Sequence, residues 1–280
     1  MNVQLFTLGY RCSSAGILKL LGYKKESYPF DWMISRLPII KDCIETNFEY
    51  FLNKENYEEE NTQTIHYGAT SNHLICNEHI VYNTYYQEKY TKEEVNIPSF
   101  LNLPNDTYAY YLALNHRNIL NEEDHEYFKR CIRRFQTLIY DNPQPKMYLY
   151  IHPVINIQDY ENNKESFIKQ FSDFQGFMTS LNKDVPMRGL FIIMVRTLFD
   201  QPITNHMENI TENIYGTNDN SGTNEEKKDF CSIYVLYTHK DFVDAGEIFM
   251  QENNEFETST LIHLVHREIN HSKYAYILNG

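Results

Sequence analysis

Short apolar runs alternate along the chain with segments whose apolar residues recur at the helical period. The apolar runs predict strands over 3–8, 147–151, 189–195, 232–237 and 260–265. The periodic segments predict helices over 13–21, 35–51, 121–139 and 167–181. Gly22 is the expected left-handed cap of the first helix, and Ser35 the expected N-cap of the second. Apolar strands separated by amphipathic helices indicate an α/β fold, with a mostly parallel central sheet flanked by helices on both faces.

The middle of the chain departs from this alternation. Residues 53–63 are acidic and polar and predict a loop, whereas 64–90 and 108–114 contain short β-prone pieces. We therefore expect a single α/β domain over 1–280, in which 53–115 is a small β-rich insertion or an irregular β segment. Residues 208–229 are rich in Asn, Thr, Gly and Glu and predict a mobile loop.

The charge of the chain argues against a nucleic-acid partner. The formal net charge is −13 over 280 residues, which disfavours binding to phosphate backbones. The densest basic cluster falls on one predicted helix and consists of Lys129, Arg130, Arg133 and Arg134. No aromatic stacking motif accompanies it, so a solvated helix face is favoured and no nucleic-acid binding is expected.

The cysteines and the apolar runs indicate the compartment. The five cysteines are scattered and form no C-x-x-C pair, which is typical of free thiols in a reducing environment. No basic leader is visible, and no stretch approaches the roughly 18 apolar residues of a membrane span. We expect a cytoplasmic protein without a membrane span. His263 and His266 lie three apart on a predicted strand and would face opposite sides, so no metal site or other cofactor is predicted.

The turn after the first strand is the leading candidate for chemistry. In an open parallel sheet, ligands bind beyond the carboxyl ends of the strands, where residues 9–14 lie. A thiol at Cys12 would meet the positive end of the following helix, which lowers the pKa of a cysteine and makes its thiolate a better nucleophile. Arg11 adds positive charge, and the N–H groups near Ser13 could hold an oxyanion or a phosphate. A small buried cysteine that only packs the first turn is an equally open alternative.

A nucleophilic cysteine needs a base, and several histidines compete for that role. His116 lies between a β-prone run and a helix start, while His152 and His239 each follow a predicted strand. Asp31 lies between two large aromatic residues, so its carboxylate is expected to be partly buried and hydrogen-bonded, either orienting a histidine or capping a helix. For Trp32 beside it, a structural role is favoured over substrate contact.

Several common motifs are absent. The chain contains no G-x-x-x-x-G-K-[ST], G-x-G-x-x-G, H-E-x-x-H or G-x-S-x-G pattern. Common nucleotide-binding, zinc-protease and serine-hydrolase interpretations therefore lose support.

Two blocks of sequence resemble a known family. Residues 8–12 (LGYRC), followed by a helix and by 28–32 (YPFDW), are similar to the opening of a domain-of-unknown-function family described as papain-like cysteine peptidases, found in bacteria and large DNA viruses. The pieces NH at 115–116, NEED at 121–124 and RRF at 133–135 extend the resemblance, which spans about residues 3–200. The papain-like description implies an antiparallel barrel, whereas the strand–helix pattern predicts a parallel sheet, and our fold prediction follows the pattern.

The resemblance also implies roles for particular residues. Cys12 would be the nucleophile, His116 its base and Asp31 the polar partner. Apart from the resemblance, we take Arg11, Ser13, Trp32 and His152 as substrate-binding candidates. The family pattern leads us to expect an acidic residue shortly after the histidine, where this chain has Asn118. An amide still orients an imidazole but stabilises the imidazolium less.

Three functions remain open at this point. The first is a cysteine-dependent hydrolase or acyl transferase acting on a peptide or on an acyl or glycan compound. The second is a sugar- or nucleotide-dependent transferase in which the first turn cradles phosphate. The third is a non-catalytic structural or interaction protein. The viral members of the family would imply the host cytoplasm or a virion as the location.

Overall fold

The computed structural model describes residues 3–10, 12–67, 73–95, 109–114, 116–154, 157–196, 206–211, 231–238 and 255–278. Within these residues, the main sheet has five strands in the order β1-β6-β7-β9-β8. These strands are β1 (Gln4–Thr7), β6 (Lys146–Val154), β7 (Met187–Arg196), β8 (His206–Asn209) and β9 (Ser232–Thr238). The first four strands of that order pair in parallel, and only β8 runs antiparallel. The central strands are almost continuously apolar because both of their faces are covered.

Helices cover the two faces of this sheet. One face packs on α1 (Ser13–Leu20) and on α7 (Glu255–Leu278), and the apolar side chains there form one cluster. The other face packs against the larger core, to which α2 (Leu37–Glu45), α3 (Glu49–Leu52), α5 (Glu122–Gln136) and α6 (Ile157–Leu181) contribute. This arrangement confirms the predicted α/β fold with a mostly parallel sheet.

A second, antiparallel sheet is built mainly by the middle of the chain. Its order is β2-β5-β4-β3, with β2 (Met33–Ser35), β3 (Tyr57–Tyr67), β4 (His73–Asn83) and β5 (Leu112–Leu114). The short helix α4 (Thr84–Lys89) follows β4. The loop predicted over 53–63 is therefore wrong from Tyr57 onward, because a one-to-one pairing with β4 holds this polar segment extended.

The second predicted helix is divided in two. It does not begin from a Ser35 cap: Ser35 is the last residue of β2, its hydroxyl donates to the Gly9 carbonyl, and Arg36 occupies the N-cap position. The helix stops at Glu45 because Asn47 and Phe48 have positive φ angles of 53° and 61°. The Phe48 side chain is 1% exposed, and burial of its ring offsets the cost of a left-handed backbone at a bulky residue. The cap predicted at Gly22 is present, with φ of 71°.

The last predicted strand is wrong. Residues 260–265 belong to α7, and the buried residues of that region recur at helical spacing. They are Leu261, Leu264, Val265, Glu268 and Ile269. The argument that placed His263 and His266 on opposite faces fails with the strand; both side chains are exposed on the helix, and His266 meets the Tyr23 ring edge-on at 5.9 Å.

Two buried polar groups tie helices to the main sheet. The Gln175 side chain of α6 accepts from the Gly189 N–H at 2.7 Å and from the Tyr148 hydroxyl at 2.9 Å. The Glu268 carboxylate of α7 accepts from the Tyr234 hydroxyl at 2.6 Å and forms an ion pair with Arg188 at 3.0 Å. Because buried polar groups are costly when unpaired, these contacts fix the position of each helix on the sheet.

The remaining sequence expectations are tested only in part. Most of the loop predicted over 208–229 lies outside the described residues, and β8 occupies 208 and 209. No helix among the described residues is both long and apolar enough to cross a membrane. Within the same described part, Cys12, Cys43, Cys131 and Cys231 are buried.

Candidate active site around Cys12

The turn that carries Cys12 begins where β1 ends. The Leu8 N–H donates to the Leu149 carbonyl at 3.0 Å, which continues the parallel pairing one residue beyond the strand. Backbone bonds then attach the turn to β2 and to the segment before it: the Gly9 N–H donates to the Phe30 carbonyl, and the Ser35 N–H donates to the Tyr10 carbonyl, both at 3.2 Å. The turn is thus held on two sides at the carboxyl end of β1.

Cys12 is the residue immediately before α1. It adopts the right-handed helical conformation, and its carbonyl accepts the first helical bond, from the Gly16 N–H at 2.8 Å. The side chain is 5% exposed and belongs to the apolar cluster with Ile17 and Leu18. The helix end favours a negative charge at this position, whereas the apolar surroundings oppose it. Ser14, buried two residues further on, accepts the Ile151 N–H at 3.2 Å and so fixes the start of α1 against β6.

Asp31 is fully buried, and both of its carboxylate oxygens have partners. Oδ1 accepts from the Thr7 hydroxyl, and Oδ2 accepts from the Tyr28 N–H at 2.6 Å and from the Lys24 ammonium. Burial raises the pKa of Asp31, while the Lys24 charge and these hydrogen bonds act in the opposite direction. The described contacts of Asp31 therefore tie β1 to the 24–31 segment, and none of them goes to His116.

Trp32 packs near both residues that the resemblance singles out. It is half-buried and packs against the cluster that contains Cys12. The His116 ring meets the Trp32 ring edge-on, with 6.4 Å between centroids and an interplanar angle of 88°. His116 itself is exposed, just after β5. Trp32 thus adjoins both the Cys12 cluster and His116.

Asn118 holds the loop that carries His116. Its side chain donates to Glu59 at 2.5 Å and accepts the Leu120 N–H at 2.9 Å, while its backbone N–H donates to Asp124 at 3.0 Å. The neighbouring Arg117 pairs with Asp124 and covers the Tyr127 ring at 3.7 Å. The described contacts of Asn118 therefore stabilise the loop backbone and are made to residues other than the histidine.

His152 lies on the other face of the sheet from Cys12. Along β6, Leu149 and Ile151 belong to the Cys12 cluster, so His152, next in the alternation, faces the larger core. It is 4% exposed, between the Tyr10 ring at 5.0 Å and the Phe167 ring at 4.9 Å. Burial, and then the Arg36 charge, lower the pKa of His152 well below 6.5, so the ring is neutral.

The remaining predicted site residues are less completely described. Arg11 and His239 lie outside the described residues. Ser13 begins α1, but its side chain is likewise outside the described part. A narrow crevice beside Trp32 offers about 10 Å³, room for roughly one water molecule. It is lined by Tyr28, Pro29, Trp32, Leu114, Arg117, Tyr127 and Phe128.

The sequence analysis gave no individual role to three residues of this region. They are Ser14, Lys24 and the buried Arg36, whose guanidinium lies over the Tyr10 ring at 4.1 Å. Ser14 had a local signal, since it follows Cys12 in the first helical turn. The partners of Lys24 and Arg36 depend on how distant segments pack, which no local pattern reveals.

Among the described side chains, one group has the composition of a metal site. The ligand atoms of Glu122, His125 and Glu126 lie within 4.8 Å of one another at the start of α5. Each already has a protein partner: Glu122 pairs with Lys54, Glu126 with Lys129, and His125 contacts the Leu52 carbonyl. These contacts account for the cluster without an ion.

Comparison with known proteins identifies a family for most of the chain. Residues 3–211 match the model of the family described as "Putative papain-like cysteine peptidase (DUF1796)". No match was found among curated proteins or among solved structures. The family description supports a cysteine hydrolase at the level of enzyme class and assigns no catalytic residue. With three quarters of its length matched, the chain belongs to the family described as putative papain-like cysteine peptidases.

Proposed function

We propose that the protein is a cysteine-dependent hydrolase or acyl transferase in which Cys12 is the nucleophile and His116 the base. The observation that carries this proposal is the position of Trp32, which packs against the Cys12 cluster and also meets the His116 ring edge-on. Membership of the cysteine peptidase family supports the same chemistry.

The proposed reaction has two steps. In the first, His116 takes the thiol proton, and the Cys12 sulfur attacks the acyl carbon of the substrate. N–H groups of the first turn of α1 stabilise the oxyanion. The bond to the leaving group breaks, and the leaving group receives the proton from His116. In the second, water or another acceptor attacks the thioester with His116 again as base, which releases the acyl product and restores the thiol.

The other members of the site have supporting roles in this proposal. Asp31 and Lys24 hold the 24–31 segment to the end of β1 and so position Trp32. His152 is a neutral core residue and takes no part in the proton transfer, because it faces the opposite side of the sheet. A peptide is the substrate class that the family description favours.

Acyl transfer to Cys12 is directly measurable. The protein is incubated with p-nitrophenyl acetate, a reagent small enough for a thiol that is 5% exposed, and the modified residue is located by peptide mass spectrometry. We expect an acetyl thioester on Cys12, with the other cysteines serving as internal controls. The Cys12→Ala variant should lose the modification, and His116→Gln should slow it by about 10²–10⁴-fold, the usual contribution of a general base.

Two results would contradict the proposal. One is acetylation of another cysteine at the rate found for Cys12 in the folded protein. The other is a Cys12 rate that is unchanged when the chain is unfolded in urea, since the positioned base and oxyanion donors exist only in the folded state.

A further inference from the structure

An open, shallow pocket of about 420 Å³ lies on the face of the second sheet that is turned away from the main core. Its lining residues are Glu58, Glu60, Tyr82, Thr84, Gln87, Glu88, Ala109 and Tyr110. Side chains alternate along β3, so Glu58 and Glu60 point away from Tyr57, which is buried in the main core. The floor of this face is a small separate apolar cluster that includes Ile80 and Tyr110.

Two tyrosines hold the carboxylates of the pocket in place. The Tyr82 hydroxyl donates to Glu58 and the Tyr110 hydroxyl donates to Glu60, each at 2.6 Å. The two rings lie 4.8 Å apart with an interplanar angle of 42°. The hydrogen bond to Glu58, followed by burial, raises the pKa of Tyr82 to about 12, so this phenol stays neutral. Neutral donors orient the carboxylates without cancelling their charge.

The pocket carboxylates lack the lysine partner that four carboxylates elsewhere in the described part of the chain have. Asp31, Asp42, Glu122 and Glu126 each form an ion pair with a lysine. No described basic side chain lines this pocket or pairs with its glutamates. Three carboxylates therefore line an open, partly aromatic pocket, and none of the described residues supplies a cation to it.

We propose that this pocket binds an organic cation, the guanidinium or ammonium head group of an arginine or lysine side chain in a polypeptide. The oriented carboxylates supply charge-assisted acceptors, and the tyrosine rings supply surfaces for a cation–π contact. The volume falls in the range of ligand sites, roughly 300–1,000 Å³, and exceeds the space that a bare metal ion fills. The inference does not depend on chemistry at Cys12.

Isothermal titration with two short peptides tests the proposal. Acetyl-Gly-Arg-Gly-amide carries the cation, and the same peptide with citrulline keeps the shape without the charge. We expect the arginine peptide to bind and the citrulline peptide to bind at least about tenfold more weakly, the usual effect of one charged hydrogen-bonding group. Equal binding of the two peptides would overturn the proposal.

Variants separate this pocket from the general negative charge of the chain. Glu58→Gln combined with Glu60→Gln should weaken the arginine peptide about tenfold or more. Glu161→Gln combined with Glu165→Gln makes the same change in net charge at exposed positions on α6 and should change affinity less than about twofold. Equal losses in the two double variants would show diffuse attraction and refute a pocket.

A third variant keeps the test valid if the glutamate changes disturb the sheet. Tyr82→Leu retains every charge and removes one ring, and it should weaken the arginine peptide by about two- to tenfold. Circular dichroism on each variant verifies that the fold is kept. If the arginine peptide fails to bind the wild-type protein while Ca²⁺ alone does, the pocket is a metal site and the proposal is wrong.

Discussion

A substitution of Asp31 tests how the 24–31 segment is held to the end of β1, next to the turn that carries Cys12. Asp31→Asn removes its charge at nearly constant volume, and Lys24, whose side chain is only 8% exposed, then loses its counter-ion. Removing one member of a buried pair costs about 3–5 kcal/mol. That is a large fraction of a total stability of about 5–15 kcal/mol. For a chain of this size, the melting temperature should fall by roughly 6–20 °C.

A double-mutant cycle measures this coupling. Thermal unfolding is followed by circular dichroism for Asp31→Asn, Lys24→Met and the two changes combined. The combined variant should recover much of the loss, because no buried charge remains and the methionine packs against the Tyr28 and Trp32 rings near Lys24.

Two outcomes would refute this account of Asp31. One is an Asp31→Asn variant that melts within about 1 °C of wild type, since the ion pair would then contribute nothing. The other is unchanged stability together with a changed pH profile of Cys12 reactivity, which would mean that Asp31 acts on the histidine instead of on Lys24.

Three further predictions concern the core. Because burial lowers the pKa of His152 below 6.5 in the folded chain, the unfolded chain takes up the proton first, and stability should fall as the pH drops below that value. The slope is about 1.4 kcal/mol per pH unit, and urea titrations at about pH 7 and pH 5 should show a smaller loss in His152→Phe; identical losses would contradict this. Gly189→Ala places a Cβ 2.5 Å from the Phe191 ring and 2.7 Å from the Tyr148 hydroxyl, so the urea midpoint should drop by the equivalent of about 1–3 kcal/mol. An unchanged midpoint would show that the rings can move aside. Glu268→Gln removes a buried ion pair and should cost about 1–3 kcal/mol by the same assay, whereas a neutral result would mean that the pair does not anchor α7.

The main sheet was predictable because each of its central strands is marked by its own run of apolar residues. Continuous apolar runs such as 189–195 need no knowledge of their partners to be assigned, and the acidic start and basic end of α5 mark its boundaries. The segment 57–63 could not be assigned in this way, because its polar residues favour a loop although the structure has a strand there. Only the pairing with β4, a partner later in the chain, makes it a strand. The wrong strand prediction over 260–265 could have been avoided from the sequence, because the buried residues of α7 recur at helical spacing.

The candidate site was predictable to a similar, limited extent. The strand–turn–helix pattern located Cys12 at the carboxyl end of β1, which is where the structure has it. The partners of Asp31 were not predictable, because Thr7 and Lys24 are brought to it by tertiary packing. For His152, the sequence placed the residue at a strand end, but the face it occupies depends on the side of the sheet that α1 covers. The pairing of Cys12 with His116 stays a prediction.

The central claim, that His116 activates Cys12, is tested most directly by the pH dependence of Cys12 alkylation. Iodoacetamide labelling is followed by mass spectrometry in wild type, in His116→Gln and in His263→Gln, a matched change at another exposed histidine. We expect wild type and His263→Gln to react fully near neutral pH, whereas His116→Gln should need a pH of about 8.5, as an unassisted thiol does. Identical profiles for wild type and His116→Gln would contradict the account.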